Sequence, residues 1–425
     1  MAATETVDVV VVGAGQAGLA TSFHLTQQGV DHVVLERDRA AHAWRAQRWD
    51  SFCLVTPNWT VQLPGFAYDG PDPDGYMKRD ELVAYFERYL ESFNPPVRTG
   101  VRVESLDAGP DNDRLRLTAS EGTFSARSVV VATGSFQHPK LPAVAQSLGA
   151  DVAQLHSIAY KNPEQLPAGA VLVVGTGQSG AQIAEELHES GRDVFLSVGR
   201  CGRVPRRYRG KDTVWWGFQG GAFDRTVDSL KSPAEKFACH PHVSGRNGGH
   251  DINLRQLARD GVRLLGRLQG AEAGTIRLAP DLEENLRKAD EFAESILKQL
   301  DEGVAKLGLP LPEDMNPRGI GAAVPNEADP IRELSLRGAD ITTIVWATGY
   351  QLDFSWIRLP IFEATGYPLQ RRGISSQPGV YFVGLEWLHK PKSGLLLGVG
   401  EDAAYIASTI TTRAHGKPME MEAPA

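Results

Sequence analysis

The stretch Val7-Asp8-Val9-Val10-Val11-Val12-Gly13-Ala14-Gly15-Gln16-Ala17-Gly18 decides the reading of this chain. Val7 to Val12 is a valine-rich run suited to a parallel strand buried on both faces. A helical pattern, Leu19 to Gln28, follows and is closed by Gly29, and a second apolar strand, His32 to Leu35, ends at Glu36. Strand, G-x-G-x-x-G, helix, strand and acid, in that order, make a dinucleotide-binding unit. Gly13 permits the tight turn, Gly15 lets the backbone approach a pyrophosphate, and Gly18 lets helix and strand pack closely. The pyrophosphate then rests on the positive end of the helix. Glu36, twenty-three residues after Gly13, stands where a carboxylate accepts hydrogen bonds from an adenosine ribose. Gln16, Ala17 and Arg37 flank these positions and are expected to touch the same nucleotide.

The pattern recurs. Val171 to Val174 lead into Gly175-Thr176-Gly177-Gln178-Ser179-Gly180 and a helix from Ala181 to Ser190; Gly191 follows Gly175 by sixteen residues, as Gly29 follows Gly13. The next strand, Val194 to Arg200, has no acid at its end. Ser197 and Arg200 stand there, and an arginine fork suits a 2′-phosphate that a carboxylate would repel. Arg203, Arg206, Arg207 and Arg209 follow, placed either to share that phosphate or to lie in solvent. The first loop therefore suits a nucleotide without that phosphate, and the second suits NADPH. Two dinucleotides on one chain are the arrangement for hydride transfer from a nicotinamide to a flavin, which makes the first nucleotide FAD.

Composition narrows the classes. With 425 residues the chain has material for two or three domains. Lys and Arg number 44 against 52 Asp and Glu, a net charge of −8 that disfavours nucleic acid or an anionic membrane as the main partner. No stretch approaches the ~18 apolar residues of a membrane span, and the short polar start does not read as a signal or transit peptide. Cys53, Cys201 and Cys239 form no C-x-x-C pair, which argues against a disulfide scaffold and a dithiol redox motif. Cys239, His240, His242 and His250 lack metal-ligand spacing, so no metal site is expected. The expectation is a cytoplasmic enzyme acting on a small molecule, with a homodimer left open.

Ser128 to Gly134 and Thr343 to Tyr350 are two apolar strands that end in Ala132-Thr133-Gly134 and Ala347-Thr348-Gly349-Tyr350. With the two glycine loops and the motif Gly379-Val380-Tyr381-Phe382-Val383-Gly384-Leu385, they make the chain resemble the flavin-containing (class B) FAD/NADPH-dependent monooxygenases. Trp44-Arg45, Arg48 to Phe52, Leu54 to Trp59 and Lys392 to Ala403 are similar to the bacterial CzcO-like branch. The class fingerprint F-x-G-x-x-x-H-x-x-x-(Y/F/W) is only half present. His156 and Tyr160 match, but Ala150 and Val152 replace its Phe and Gly, which leaves the subclass open.

The resemblance implies an α/β fold of two Rossmann-like domains, a glutathione-reductase-like flavoprotein with the NADPH domain inserted into the FAD domain. The FAD domain would be 1–165 with 340–425, and the NADPH domain 166–339, with a cap-like insertion at about 201–310. It implies that NADPH reduces FAD, that O2 adds at flavin C4a, and that one oxygen atom passes to a soft nitrogen or sulfur of a small organic substrate. Baeyer–Villiger oxygenation of a ketone, or a flavin reductase passing electrons elsewhere, are the alternatives. It further implies that Trp44, Arg45, Trp49, Thr56, Val103, Gly384, Ser393 and Leu395 contact the flavin nucleotide and that Asn58 hydrogen-bonds near C4a as the catalytic amide. Ser393-Gly394 would open the last helix, its dipole favouring negative charge on the reduced flavin. Asp50 and Asp353 are read as caps or arginine partners, Asp281 to Leu307 as an amphipathic helix, and 419–425 as a frayed tail.

Overall fold

The computed structural model describes residues 4–110, 113–308, 312 and 323–414; the tail expected at 419–425 lies outside them. The valine run forms the strand Thr4–Val12, and its Val9, Val10 and Val11 are buried. It pairs in parallel with His32–Glu36 on one side and Gly122–Val131 on the other. Val97–Thr99 extends the sheet in parallel past His32–Glu36, and Val380–Phe382 does so past Gly122–Val131. Edge strands Ile374–Ser375 and Gln370–Arg371 and an antiparallel meander, Val103–Ala108 with Leu115–Ala119, bring the sheet to nine strands. The helix Gln16–Gln27 lies against the C-terminal helix Val399–Ala414.

A second sheet holds five parallel strands in the order Ala153–His156, Ile341–Trp346, Ala170–Val174, Val194–Ser197, Arg263–Leu265. Its helix Gln178–Glu189 follows the second glycine loop as Gln16–Gln27 follows the first. One apolar core runs through both units, from Val9 and Val11 to Val171 and Ile183. This sheet reaches beyond the 166–339 segment expected for it. Ala153–His156 and Ile341–Trp346 come from stretches expected in the first domain, whereas Arg263–Leu265 lies within 166–339, in the expected cap. Sheet membership depends on long-range pairing, and local apolar periodicity does not carry that information.

The helix Leu282–Leu307 buries Leu282, Leu286, Ala289 and Ala293, whereas Phe292, expected on the same stripe, is 38% exposed. The same buried face of this helix carries Asp290, which accepts from Arg203 Nη2 at 2.8 Å and Arg255 Nε at 2.9 Å; Arg255 also pairs with Glu327 at 2.6 Å. A buried, mutually satisfied cluster of this kind fixes register between the helix and the irregular 201–255 stretch beneath it.

Candidate functional site

Both glycine loops open on one cavity of about 850 Å³. Gly13 and Gly175 each have φ of +104°, in the region that favours glycine. A Cβ on Gly18 would fall 1.8 Å from the Gly13 carbonyl oxygen, and one on Gly180 would fall 2.0 Å from that of Gly175, so these glycines serve the close packing of turn and helix. Gly15 differs. It lines the cavity, and a Cβ there would meet nothing within 4 Å. Gly15 and Gly177 are the N-caps of their helices, and neither helix has a side-chain cap or an acidic residue in its first turn. Two uncapped helix ends facing one cavity make two anion sites.

Glu36 is buried on the cavity wall; its Oε2 accepts from Ala14 N at 2.8 Å and its Oε1 from Asp38 N at 2.9 Å. Each oxygen keeps a lone pair for a further donor. Trp49 is also buried against the cavity, and its indole N–H has no hydrogen-bond partner among the described residues. A buried orphaned donor on a cavity wall fits a bound acceptor. The open space at Gly15, the bare helix ends, Glu36 and this donor together fit a dinucleotide on each loop.

Most expected site residues line this cavity. From the first unit these are Gly13, Gly15, Gln16, Ala17, Glu36, Arg37, Trp44, Trp49, Thr56, Val103 and Ala132-Thr133-Gly134. From the second unit and the C-terminal segment they are Gly177, Gln178, Ser179, Ala347, Gly349, Tyr350, Gly384 and Leu395. The two A-T-G ends back the two loops in the same way: Ala132 N donates to Val12 O and Ala347 N to Val174 O, both at 2.9 Å.

Other expectations are corrected. Asn58 does not line the cavity. Its amide Nδ2 donates to Asp72 O at 2.9 Å and its Oδ1 accepts from Met77 N at 2.7 Å, so both ends pin a loop. Arg45 turns away to Ala40 O at 3.0 Å and Glu87 at 2.8 Å. Ser197 is buried, donating to Gly266 O at 3.0 Å and accepting from Leu268 N at 3.1 Å, because its strand end is covered by the next crossover. Ser393 is likewise internal, accepting from His389 N at 3.1 Å and Lys390 N at 3.0 Å. Thr348 donates to Lys140 O. Arg200, by contrast, stays available for its expected part: it is exposed outside the cavity lining and makes no salt bridge among the described residues.

The basic run after Arg200 is structural. Arg203 pairs with Asp290, Arg206 with Asp212 at 2.6 Å and Arg209 with Asp301 at 3.4 Å, while Arg207 donates to the Gly248 and Gly249 carbonyls. The last helix begins at Val399, after a 3-10 turn at Pro391–Gly394, and has Glu401 and Asp402 in its own first turn. Its N-terminus is therefore already answered by carboxylates, unlike those of the glycine loops. Asp50 pairs with Arg79 at 2.5 Å, and Asp353 with His138 at 3.1 Å.

The half-present fingerprint has a structural role. His156 Nε2 donates to Gly349 O at 3.0 Å and Nδ1 accepts from Ile158 N at 3.2 Å, one neutral tautomer serving both, and burial lowers its pKa. Tyr160 OH donates to Glu186 at 2.8 Å. The Cys/His group does not converge: His250 pairs with Glu185 at 2.8 Å, His240 with Glu386 at 3.5 Å, and His242 is fully buried.

Arg48, which the sequence marks only as part of the CzcO-like stretch, takes a place in the site. Its guanidinium lies in the cavity wall, 4.9, 5.6 and 5.7 Å from the ring centres of Trp44, Phe52 and Phe136. It donates to Gln47 O at 2.9 Å, and among the described residues it has no carboxylate partner. Tyr350 stands 5.0 Å from Phe136 and from His156, closing this aromatic wall.

Fold and site thus define a flavoprotein oxidoreductase with two dinucleotide domains. Residues 10–209 match the family model described as pyridine nucleotide-disulphide oxidoreductase. A CzcO-like oxidoreductase of Geobacillus kaustophilus is 33% identical over 407 residues, covering 95% of this chain and 98% of that protein. The chain belongs to this family of CzcO-like oxidoreductases. Among solved structures, a flavin-containing monooxygenase from Stenotrophomonas maltophilia superposes with a TM-score of 0.65 at 21% identity, covering 97% of this chain and all of that one. A bacillithiol disulfide reductase from Bacillus cereus gives 0.62 at 16%, covering 96% and 100%, so the fold serves both chemistries. No helix among the described residues is long and apolar enough to cross a membrane.

Proposed function

We propose that the chain is a single-component monooxygenase that binds FAD on the Gly13 loop and NADPH on the Gly175 loop and oxygenates a soft nitrogen or sulfur atom of a small organic molecule. The observation that carries this is the pair of uncapped helix ends facing one cavity, with an acid after the first unit and none after the second. When bound, the two nucleotides supply hydride transfer and the activation of O2. Glu36 holds an adenosine ribose, the N–H groups after Gly15 and Gly177 hold the two pyrophosphates, and Trp49 donates its free N–H to the first nucleotide. Trp44, Trp49, Phe52, Phe136 and Tyr350 exclude water from the reacting end. Arg48 offers a cation to an anionic group held there. Neutral His156 keeps the Gly349 turn in place rather than moving a proton.

A cytoplasmic setting is part of this reading, supported by three free thiols. The second reading is reduction of another acceptor without oxygen transfer, favoured by the reductase neighbour of the same fold. Turnover of the FAD-loaded enzyme with NADPH, 18O2 and a panel of small amines and thioethers separates the two. One labelled oxygen in a product supports the proposal. NADPH consumed with stoichiometric H2O2 and no labelled product across the panel favours the reductase.

A further inference from the structure

Two of the three cysteines meet at the second loop. Cys201 lies just beyond the strand Val194–Ser197 and is buried; Cys239, thirty-eight positions later, is exposed and lines the cavity. Their Sγ atoms are 2.8 Å apart, and Cys201 also donates to His240 O at 3.2 Å. All three cysteines are free, and tertiary contact supplies the proximity of two of them that a C-x-x-C motif would supply locally.

Cys239 also covers the phosphate loop. A Cβ on Gly177 would come within 3.4 Å of its sulfur. That direction is the one a glycine at this position leaves clear for a pyrophosphate. The thiol therefore stands over the uncapped end of the helix Gln178–Glu189, and a nucleotide diphosphate entering there must displace it.

We propose that Cys201 and Cys239 form a reversible disulfide under hydrogen peroxide, and that this bond latches the Cys239 segment over the Gly177 loop and keeps the nucleotide out. The second half rests on the reading of that loop as the NADPH site. Closure from the present contact to a bond of about 2.05 Å requires an approach of roughly 0.8 Å. Cys239 is the attacking sulfur: it is the thiol open to the cavity, and the Cys201 thiol and the neighbouring His240, whose own pKa Glu386 raises, lower its pKa, while the same contact and burial push the Cys201 thiol up. Cys239 attacks one peroxide oxygen, the O–O bond breaks, and water leaves to give a sulfenic acid. Cys201 then attacks that sulfur, the S–S bond forms, and a second water carries away the remaining oxygen. Two thiols lose two electrons and one peroxide gains them. A small dithiol reverses the step.

The test uses the reduced FAD-loaded enzyme, treated with H2O2, alkylated, digested and mapped by mass spectrometry. NADP+ binding is measured by calorimetry on the same samples. The expected result is a peptide linking Cys201 to Cys239, with buried Cys53 alkylated after unfolding. NADP+ affinity should fall about tenfold or more, return with dithiothreitol, and be insensitive to peroxide in C201S. Separate alkylation of both thiols after peroxide overturns the proposal, as does unchanged NADP+ affinity in the cross-linked enzyme. If the reduced enzyme binds no NADP+, the nucleotide reading and the latch fail together, and the peptide map alone then decides the disulfide.

Discussion

Gly175 and Ala347 touch across the second loop: a Cβ on Gly175 would lie 2.5 Å from the Ala347 carbonyl oxygen, as one on Gly13 would lie 2.7 Å from that of Ala132. The same A-T-G backbone thus closes both nucleotide turns, and each turn tolerates only glycine. Gly13→Ala and Gly175→Ala add a clash with rigid backbone to an unfavourable positive φ, at a cost of about 1–3 kcal/mol each. Gly13→Ala should purify with little FAD. Gly175→Ala should keep FAD and lose NADP+ affinity. Flavin content per chain and calorimetry check this; identical losses in both variants would contradict separate sites.

Trp49 presents a buried N–H with no partner among the described residues. Trp49→Phe removes that donor and little volume. FAD affinity should weaken about tenfold, the worth of one hydrogen bond to a charged or strongly polar acceptor, with the thermal midpoint of the apoprotein nearly unchanged. A variant whose apoprotein melts much lower while its FAD affinity is unaltered would make the role one of packing.

Arg200 is exposed at the end of the second unit's strand while its four successors are engaged by carboxylates or carbonyls. It remains free to meet a 2′-phosphate. Arg200→Glu should raise KM for NADPH about tenfold or more and leave KM for NADH within about twofold, as expected when an attraction specific to the extra phosphate is reversed. Equal effects on both nucleotides would remove Arg200 from the site.

His242 is fully buried, and desolvation pushes its pKa down to about 4. In the unfolded chain it titrates near 6.5, so between these values the unfolded state binds more protons and stability rises with pH. The contribution is whole above about 6.5 and is lost as pH falls toward 4, a swing of up to about 3 kcal/mol. His242→Gln should flatten urea-unfolding stability between pH 7 and pH 4.5 relative to the parent. An unchanged slope would show that another group governs the acid limb.

The glycine loops were legible because their requirements are local: a positive φ at Gly13 and Gly175, close packing at Gly18 and Gly180, and strand and helix patterns on either side. Glu36 followed from spacing. Residues whose role depends on distant partners were not legible. Asn58 belongs to Asp72 and Met77, Ser197 to Gly266, and the arginines after Arg200 to Asp290, Asp212 and Asp301. Arg48 gains its place from Trp44, Phe52 and Phe136, and the Cys201–Cys239 contact from a fold that brings two stretches together. Chain order alone carries none of these meetings. The pairing of Ala153–His156 and Ile341–Trp346 with the second sheet is long-range in the same way.

One cavity is proposed to hold FAD on the Gly13 loop and NADPH on the Gly175 loop, close enough for hydride transfer. Anaerobic stopped-flow mixing of the FAD-loaded enzyme with one equivalent of NADPH, read at the flavin absorbance, tests it most directly. The prediction is complete bleaching by the parent enzyme and at least a hundredfold slower bleaching by Gly175→Ala with its FAD retained, equivalent to about 2.7 kcal/mol or more of lost binding and positioning. A flavin that NADPH leaves oxidised, or that Gly175→Ala reduces at the parent rate, would contradict the account.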